Sequence, residues 1–326
     1  MSLLPLSIEG RSVKTRILIT GVAGFIGSNL AQRLIEMADY EVIGIDNLMA
    51  GIREQVPEEV EFHELDVRSK EIYPFFQQVD YVYHLAAKNC LSDCQLDPVE
   101  TAEINIAGTV NVFEAAKRAK VRKIIYAESS AIYEGSAIFP TPESETKPES
   151  FYAISKWATG QFAEAYRRFF QVKYTALRYF NVYGPRQDYR RSIPPVMSAF
   201  IIKLLRNEQP VIYGTGHKQR DFVYVGDVND FHLLCLKDHR TDGKIFNVGS
   251  GVTHSILETY ELISELLGRK KEAIFKPDLP GEAQKTLADI TEAKKLRWAP
   301  KVNMRTGLKK MIDYIEHEMS QGRVSV

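Results

Sequence analysis

Short runs of aliphatic and β-branched residues recur along the first half of the chain, and stretches with helical spacing separate them. Thr15–Thr20 (Thr-Arg-Ile-Leu-Ile-Thr) stops at Gly21 and reads as a buried parallel strand. Over Gly27–Met37, Leu30, Leu34 and Ile35 fall on one helical face. Glu41–Asp46, Val60–Asp66 and Tyr81–Ala87 read as the next three strands. Val99–Ala119 predicts a long helix carrying Ile106, Val110, Phe113 and Ala116. Lys123–Ala127 is a fifth strand, Phe151–Phe170 a second long helix and Lys173–Arg178 a sixth strand. This alternation predicts an α/β fold built on a doubly wound parallel sheet. Ligands of such sheets lie beyond the carboxyl ends of the strands, where Gly21, Asp46, Asp66, Ala87 and Ser129 fall. Past about residue 180 the pattern loosens, and prolines at 185, 194, 195, 210, 277, 280 and 300 punctuate shorter elements. A smaller region interleaved with the first is expected there.

Composition narrows the partners. The chain has 326 residues, 44% of them hydrophobic, and 42 basic against 42 acidic side chains. A zero net charge argues against nucleic acid as a partner, so any anion must be met by a local site. Three cysteines (Cys90, Cys94 and Cys235) do not form a disulfide framework. Cys90-x-x-x-Cys94 lacks a second ligand pair, so no metal is expected. The Met1–Arg11 start has no basic region before its short apolar run, and no segment reaches the ~18 apolar residues of a membrane span. A soluble, cytoplasmic protein without a membrane partner is the expectation.

The first candidate chemistry is Gly21-x-x-Gly24-x-x-Gly27, at the junction of the first strand and helix. Glycines there allow a tight turn and a close approach of backbone to a pyrophosphate, and the helix start offers free N–H groups. A plain strand-to-helix turn is the competing reading. Asp46 closes the second strand roughly twenty residues on, where an acid hydrogen-bonds ribose hydroxyls and repels a 2′-phosphate. That favours NAD over NADP, although Arg53 is close enough in sequence to oppose it. Asp66-Val67 is placed to meet an adenine amino group, and Asp66 also reads as a helix N-cap.

Tyr152 and Lys156 stand four apart on one helical face, downstream of Ser129-Ser130. A free phenol, with a pKa of about 10, is a poor base at neutral pH. A neighbouring ammonium favours the phenolate, which can then take a proton from an alcohol while a nicotinamide takes the hydride. Ser129 would share that proton. Tyr-x-x-x-Lys alone also fits an amphipathic helix with an exposed lysine. Its order behind the glycine turn and the serine pair is what points to chemistry.

These residues make the chain resemble the extended short-chain dehydrogenase/reductase family, within it the nucleotide-sugar epimerases and dehydratases. The likeness covers about residues 15 to 315. It rests also on Asp46-Asn-Leu48, His84-Leu-Ala-Ala87, Asn105 with Gly108-Thr109, Arg178–Arg186, Arg220–Val225 with Asp227-Val228, and Asn247–Gly251. The resemblance implies an NAD-binding Rossmann unit over 15–180 and a mainly nucleotide-sugar-binding region over 181–320. It implies Gly21, Gly24, Phe25, Ile26, Gly27, Asp46, Asn47, Asp66, Val67, Leu85, Ala86, Ala87, Tyr152, Lys156 and Tyr179 for NAD. Ser129, Tyr152 and Lys156 would be catalytic. Ser129, Ser130, Asn181 (at the diphosphate), Tyr213 (against the base), Arg220 (on phosphate) and Thr286 would meet the nucleotide sugar. Arg178 is expected to be structural, and a homodimer through the two long helices is implied.

The resembling dehydratases carry an Asp-Glu pair directly after the catalytic hydroxyl, and the decarboxylases a Glu; this chain has Ser130-Ala131. Oxidation, rotation and re-reduction at C4 need no such acid, so 4-epimerisation is expected, on a UDP-hexose or UDP-N-acetylhexosamine. The 3,5-epimerases place a Cys beside the serines, whereas Cys90 and Cys94 lie on another loop. A Thr at 286, where a large Tyr restricts some relatives to glucose and galactose, favours tolerance of an N-acetyl group, unless Thr286 merely starts a strand. Leu279 stands where a second phosphate-binding arginine is expected, leaving Lys276 or Arg186 as candidates to replace it. Cys94 occupies a usual serine position. GDP-, CDP- and dTDP-sugars stay open as alternatives, as does a non-catalytic NAD-binding regulator.

Overall fold

The structure, a computed structural model, describes residues 14–190, 194–278 and 282–324. The Met1–Arg11 start and Leu279 lie outside the described residues. Seven parallel strands form the main sheet: β1 (Thr15–Thr20), β2 (Tyr40–Asp46), β3 (Glu61–Glu64), β4 (Tyr81–His84), β5 (Lys123–Ser129), β6 (Tyr174–Tyr179) and, after the short strands β7 (Asn181–Tyr183), β8 (Val211–Tyr213) and β9 (Gln219–Tyr224), β10 (Lys244–Val248). Their order is β10-β6-β5-β4-β1-β2-β3. The chain starts in the middle, winds outward to β3 and then returns to the other side. β11 (Thr253–Ser255) pairs antiparallel with β9, which pairs parallel with β7. β12 (Ile274–Lys276) pairs parallel with β8.

The period-2 alternation of β1 decides its packing. Ile17 and Ile19 join the core on one face of the sheet, and Leu18 joins the core on the other. α1 (Phe25–Glu36) brings Leu30 and Leu34 to the first face. Beyond β4 come α2 (Leu91–Leu96), α3 (Pro98–Ala102), α4 (Gly108–Ala119) and α5 (Phe151–Phe170). From these, Phe113, Ala116, Ala163 and Tyr166 pack on the second face with Leu18, Ile43, Ile124 and Tyr126. After α6 (Val196–Leu205), α7 (Val225–Lys237) adds Val228 and Phe231 to the first face. A third core joins β7 and β9 to α6, α8 (Ile256–Leu267) and, past α9 (Thr291–Lys295), α10 (Met304–Ser320). Thus β10 and α7, from the second half of the chain, pack into the first sheet. This is the doubly wound fold that the alternation predicts.

The boundaries differ from expectation in instructive ways. β3 ends at Glu64 rather than Asp66, because Asp66 turns back to accept hydrogen bonds from Arg68. β4 ends at His84, freeing Leu85, Ala86 and Ala87 to line a cleft. β5 runs on to Ser129, in register with Tyr179 of β6. The helix expected over 99–119 is interrupted by a π-turn at Glu103–Ala107, between α3 and α4. Such wide turns recur at functional sites. Here Asn105 donates to the Lys88 carbonyl and to Ser155 Oγ (3.0 and 2.9 Å) and accepts from the Lys88 N–H, tying the post-β4 loop to α5.

Candidate active site

The strand ends open onto a cleft of about 530 Å³. Its cofactor end is shaped by backbone. Gly21 has φ +74°, and a Cβ there would meet the Ala86 nitrogen at 2.7 Å. A Cβ on Gly27 would lie 2.1 Å from the Gly21 carbonyl oxygen, so α1 and the turn fit together only as glycines. Gly24 caps α1 without a side chain, leaving first-turn N–H groups for an anion. Gly24, Phe25, Ile26 and Gly27 all line the cleft. Asp46 is 9% exposed, and its carboxylate accepts from the N–H groups of Ala23 and Leu48, both at 2.9 Å. Burial pushes its pKa up, and these two bonds oppose the rise.

Arg53 does not oppose NAD here. Its guanidinium stacks over Phe62 at 4.5 Å, and it is not among the cleft-lining residues. Asp66 accepts from the Arg68 guanidinium and from Asn47 Nδ2 at 2.9 Å. The Arg68 hydrogen bond holds its carboxyl well down, to about 2. The helix-cap reading of Asp66 fails, since Ser69 caps the next helical turn by accepting from the Glu71 N–H. Asn47, Val67, Leu85, Ala86 and Ala87 line the same wall. Beneath them His84 bonds Thr20 and Thr109, and burial holds its ring neutral, with a pKa down to about 3. The residues present therefore fit a dinucleotide: a cradle that a Cβ would fill, free helix N–H groups and a buried acid at the second strand end.

The second group of cleft residues lies where β5 meets α5. Ser129 Oγ accepts from the Ala131 N–H at 3.2 Å, which leaves its hydroxyl hydrogen to donate. α5 begins at Ser150, whose Oγ accepts from the Ala153 N–H. Glu134 accepts in turn from Ser150 N and Oγ, both at 2.9 Å, and so sets a negative charge at the positive end of the helix. The first turn of α5 thereby brings a half-buried Tyr152 to the cleft. One turn on, Lys156 is 5% exposed and donates to the Ala127 carbonyl at 3.0 Å. Burial lowers its pKa to about 8, against the opposing pull of Glu128. Tyr179 lines the cleft, with its hydroxyl 2.6 Å from His232 Nε2.

The substrate end is more mixed. Ser130, Asn181, Arg220 and Thr286 line the cleft. Thr286 Oγ1 accepts from Asn181 Nδ2 and from the Asp221 N–H, both at 3.0 Å. Asn181 Nδ2 also donates to the Asp221 carbonyl. Both amide hydrogens of Asn181 are thus spent within the protein, and a diphosphate would gain one only by breaking a bond. Thr286 starts no strand; Lys285 beside it forms a single bridge to Gln219. Arg220 is 12% exposed and donates through Nη1 to the Gln219 carbonyl at 3.1 Å. Burial lowers its pKa, and the charges of Glu282 and Asp278 oppose the fall.

Three expectations are not met in this geometry. Tyr213 does not line the cleft; it pairs with Lys276 on the β8–β12 ribbon. Arg186 is spent on the Ser28 carbonyl of α1 (2.7 Å) and on Gln32, and Lys276 does not line the cleft. Sequence reasoning also passed over Glu128, Glu134, Phe139, Asp188, Glu282 and Lys285, all of which line the cleft. Lys285 sits over the Phe139 ring at 5.4 Å. Glu128, adjacent to Ser129, and Lys285, adjacent to Thr286, carried a signal in their positions. Arg178, expected to be structural, pairs with Glu128 at 2.7 Å with both side chains at most 5% exposed. Among the described residues no group of three His, Cys, Asp or Glu could hold a metal, and no helix is long and apolar enough to cross a membrane.

Comparison with known proteins agrees with this geometry. Residues 17–249 match the family described as the NAD dependent epimerase/dehydratase family. A UDP-glucose 4-epimerase of Mycolicibacterium smegmatis is 32% identical over 314 residues, covering 93% of this chain and 99% of that one. The crystal structure of a Thermotoga maritima UDP-glucose 4-epimerase with UDP-glucose superposes with a TM-score of 0.90 at 37% identity, covering 94% of this chain and all of the other. A UDP-N-acetylglucosamine 4-epimerase from Methanobrevibacter ruminantium M1, in complex with UDP-N-acetylmuramic acid, gives a TM-score of 0.90 at 30% identity, covering 94% and 99%.

The cradle makes a direct prediction. Gly27→Ala forces a Cβ into the Gly21 carbonyl, and strain of that kind should weaken NAD binding by about tenfold or more. NAD released from purified protein and measured by absorbance reports it. Wild-type occupancy in the variant would show that the dinucleotide does not sit on this turn.

Proposed function

The chain belongs to the NAD dependent epimerase/dehydratase family and is an NAD-dependent enzyme of the UDP-sugar 4-epimerase kind, and from that premise we propose that it inverts C4 of a UDP-hexose or UDP-N-acetylhexosamine through a transient 4-keto sugar. The observation that carries this reading is that Ser129, Tyr152 and Lys156 line one cleft together with the dinucleotide cradle and Arg220. In this reading residues 15–180 mainly hold NAD, and residues 181–320 mainly hold the nucleotide sugar.

Asp46 would hold the adenosine ribose hydroxyls, Asp66 and Val67 the adenine, and the start of α1 the pyrophosphate. Tyr179 and the Leu85–Ala87 wall would flank the rest of the cofactor. When bound, NAD would supply the redox chemistry at C4, as hydride acceptor before and hydride donor after the keto sugar turns over. Tyr152 takes the proton from the C4 hydroxyl and later gives it back, so the sugar leaves with its atoms unchanged. Ser129 bonds the same oxygen. The Lys156 ammonium favours the tyrosinate.

A 4,6-dehydratase is disfavoured by chemistry. Ser130 and Ala131 follow Ser129, and neither moves protons at C5 and C6. The neighbouring carboxylates are already committed. Glu128 accepts from Arg178 and Tyr126, and Glu134 from Ser150. The small Thr286 in the wall supports room for an N-acetyl group.

An exposed apolar face supports a homodimer. Phe151, Ile154, Phe162 and Phe169 of α5 are each 43–73% exposed, and a 100° step per residue places them on one side. Leu96 and Val99, before and within α3, are more than 70% exposed. Such a patch marks an association surface.

Two measurements test these readings. The first incubates the protein, without added NAD, with UDP-glucose, UDP-galactose and their N-acetylated and uronate counterparts, and separates the products by chromatography. C4 isomers are expected from at least one of the four unmodified or N-acetylated sugars. A dehydrated 4-keto product, or no C4 isomer from any, would contradict the proposal. The second measures mass by light scattering. Wild type should be dimeric and Phe162→Glu monomeric; a monomeric wild type would rule out the interface.

A further inference from the structure

A charge cluster borders the substrate end of the cleft, and the chemistry above makes no use of it. Lys218 directly precedes β9, and its side chain is only 4% exposed. Its ammonium lies 2.8 Å from Asp278 Oδ1 and 2.6 Å from Glu282 Oε2. Glu282 lines the cleft beside Arg220. The Glu282 oxygen on Lys218 stands 3.9 Å from Arg220 Nη2, beyond hydrogen-bond reach.

Glu282 therefore has two cations within its range and is bonded to one of them. Seated on Arg220, it would fill the planar fork that an incoming phosphoryl group needs. Left without a partner, it would meet that group as a like charge and repel it. Seated on Lys218, it does neither. Asp278, half exposed, shares the ammonium and helps keep it charged in spite of burial.

Resting on the UDP-sugar reading above, we propose that Lys218 is a positioning residue for the diphosphate: it holds Glu282 off Arg220 and cancels its charge, so that Arg220 faces the phosphoryl oxygens. The cleft thereby presents an arginine beside one neutralised acid.

Calorimetric titration of the full-length, NAD-containing protein with UDP tests this. Lys218→Met should weaken UDP binding about tenfold or more, the scale of one charge-assisted hydrogen bond. Lys218→Arg should restore most of the loss. The decisive variant is Lys218→Met combined with Glu282→Gln. Removing the carboxylate should return the affinity towards wild type, which a merely structural lysine would not allow. Wild-type affinity in Lys218→Met, or a double variant as weak as Lys218→Met, would overturn the proposal. Retained NAD reports folding. If Lys218→Met does not fold, Glu282→Gln alone decides: it should bind UDP at least as tightly as wild type, and weaker binding overturns the proposal. A wild type that binds no UDP would overturn the UDP reading instead, and the same variants titrated with the nucleoside diphosphate it does bind would then decide the role of Lys218.

Discussion

The ammonium of Lys156 is buried beneath the cleft with a backbone carbonyl as its described hydrogen-bond partner, and much of the surrounding structure keeps it there. Burial disfavours a charge, and its lowered pKa of about 8 records that cost. Three devices hold the ammonium in position. Ser150 and Glu134 fix the start of α5. Asn105, carried on the π-turn, fastens α5 to the loop after β4 through Ser155. The buried Glu128–Arg178 pair, with Glu128 pressed against Gly160 one turn past Lys156, sets the field around it. Removing one partner of such a pair costs about 3–5 kcal/mol. The lysine is thus a cation held under strain of solvation, and it is most useful where it can favour an anion beside it.

The two ends of the cleft are built differently, and this governs what each can recognise. The cofactor end is made of backbone: the Gly21 turn, the uncapped start of α1, and Asp46 tied to two N–H groups. Such a surface is rigid and has little freedom in what it fits. The substrate end is made of long side chains that lean on one another. Arg220, Glu282 and Lys218 are one case, and Lys285 over Phe139 is another. A cofactor that stays through each turnover suits the first kind of wall, and an exchangeable nucleotide sugar suits the second.

The same contrast explains what the sequence made legible. The alternation of β1 and the helical face of α1 leave no freedom about which side is buried, so the sheet and the glycine turn could be read directly. The Tyr152–Lys156 spacing likewise follows from helix geometry alone. Strand ends could not be read as well, because they depend on local hydrogen bonds such as that from the Arg68 N–H to Asp66. Arg53 shows the limit of proximity in sequence: it lies seven residues past Asp46, yet its guanidinium rests on Phe62. Arg186 is kept from the cleft for a related reason. Long side chains have several partners within reach, and which one wins is settled by residues far away in the chain, such as Ser28 for Arg186.

In the proposed chemistry Tyr152 is the proton carrier, while the rest of the site only binds and orients. Tyr152→Phe removes one oxygen and leaves the cradle, Asp46 and Lys156 in place. The measurement is made on this variant alone: NAD content after purification, together with C4 interconversion of the wild-type substrate. NAD at the wild-type level with interconversion reduced at least about a hundredfold, the lower range for a lost general acid–base group, is the predicted result. Near-normal turnover in the variant would contradict the account.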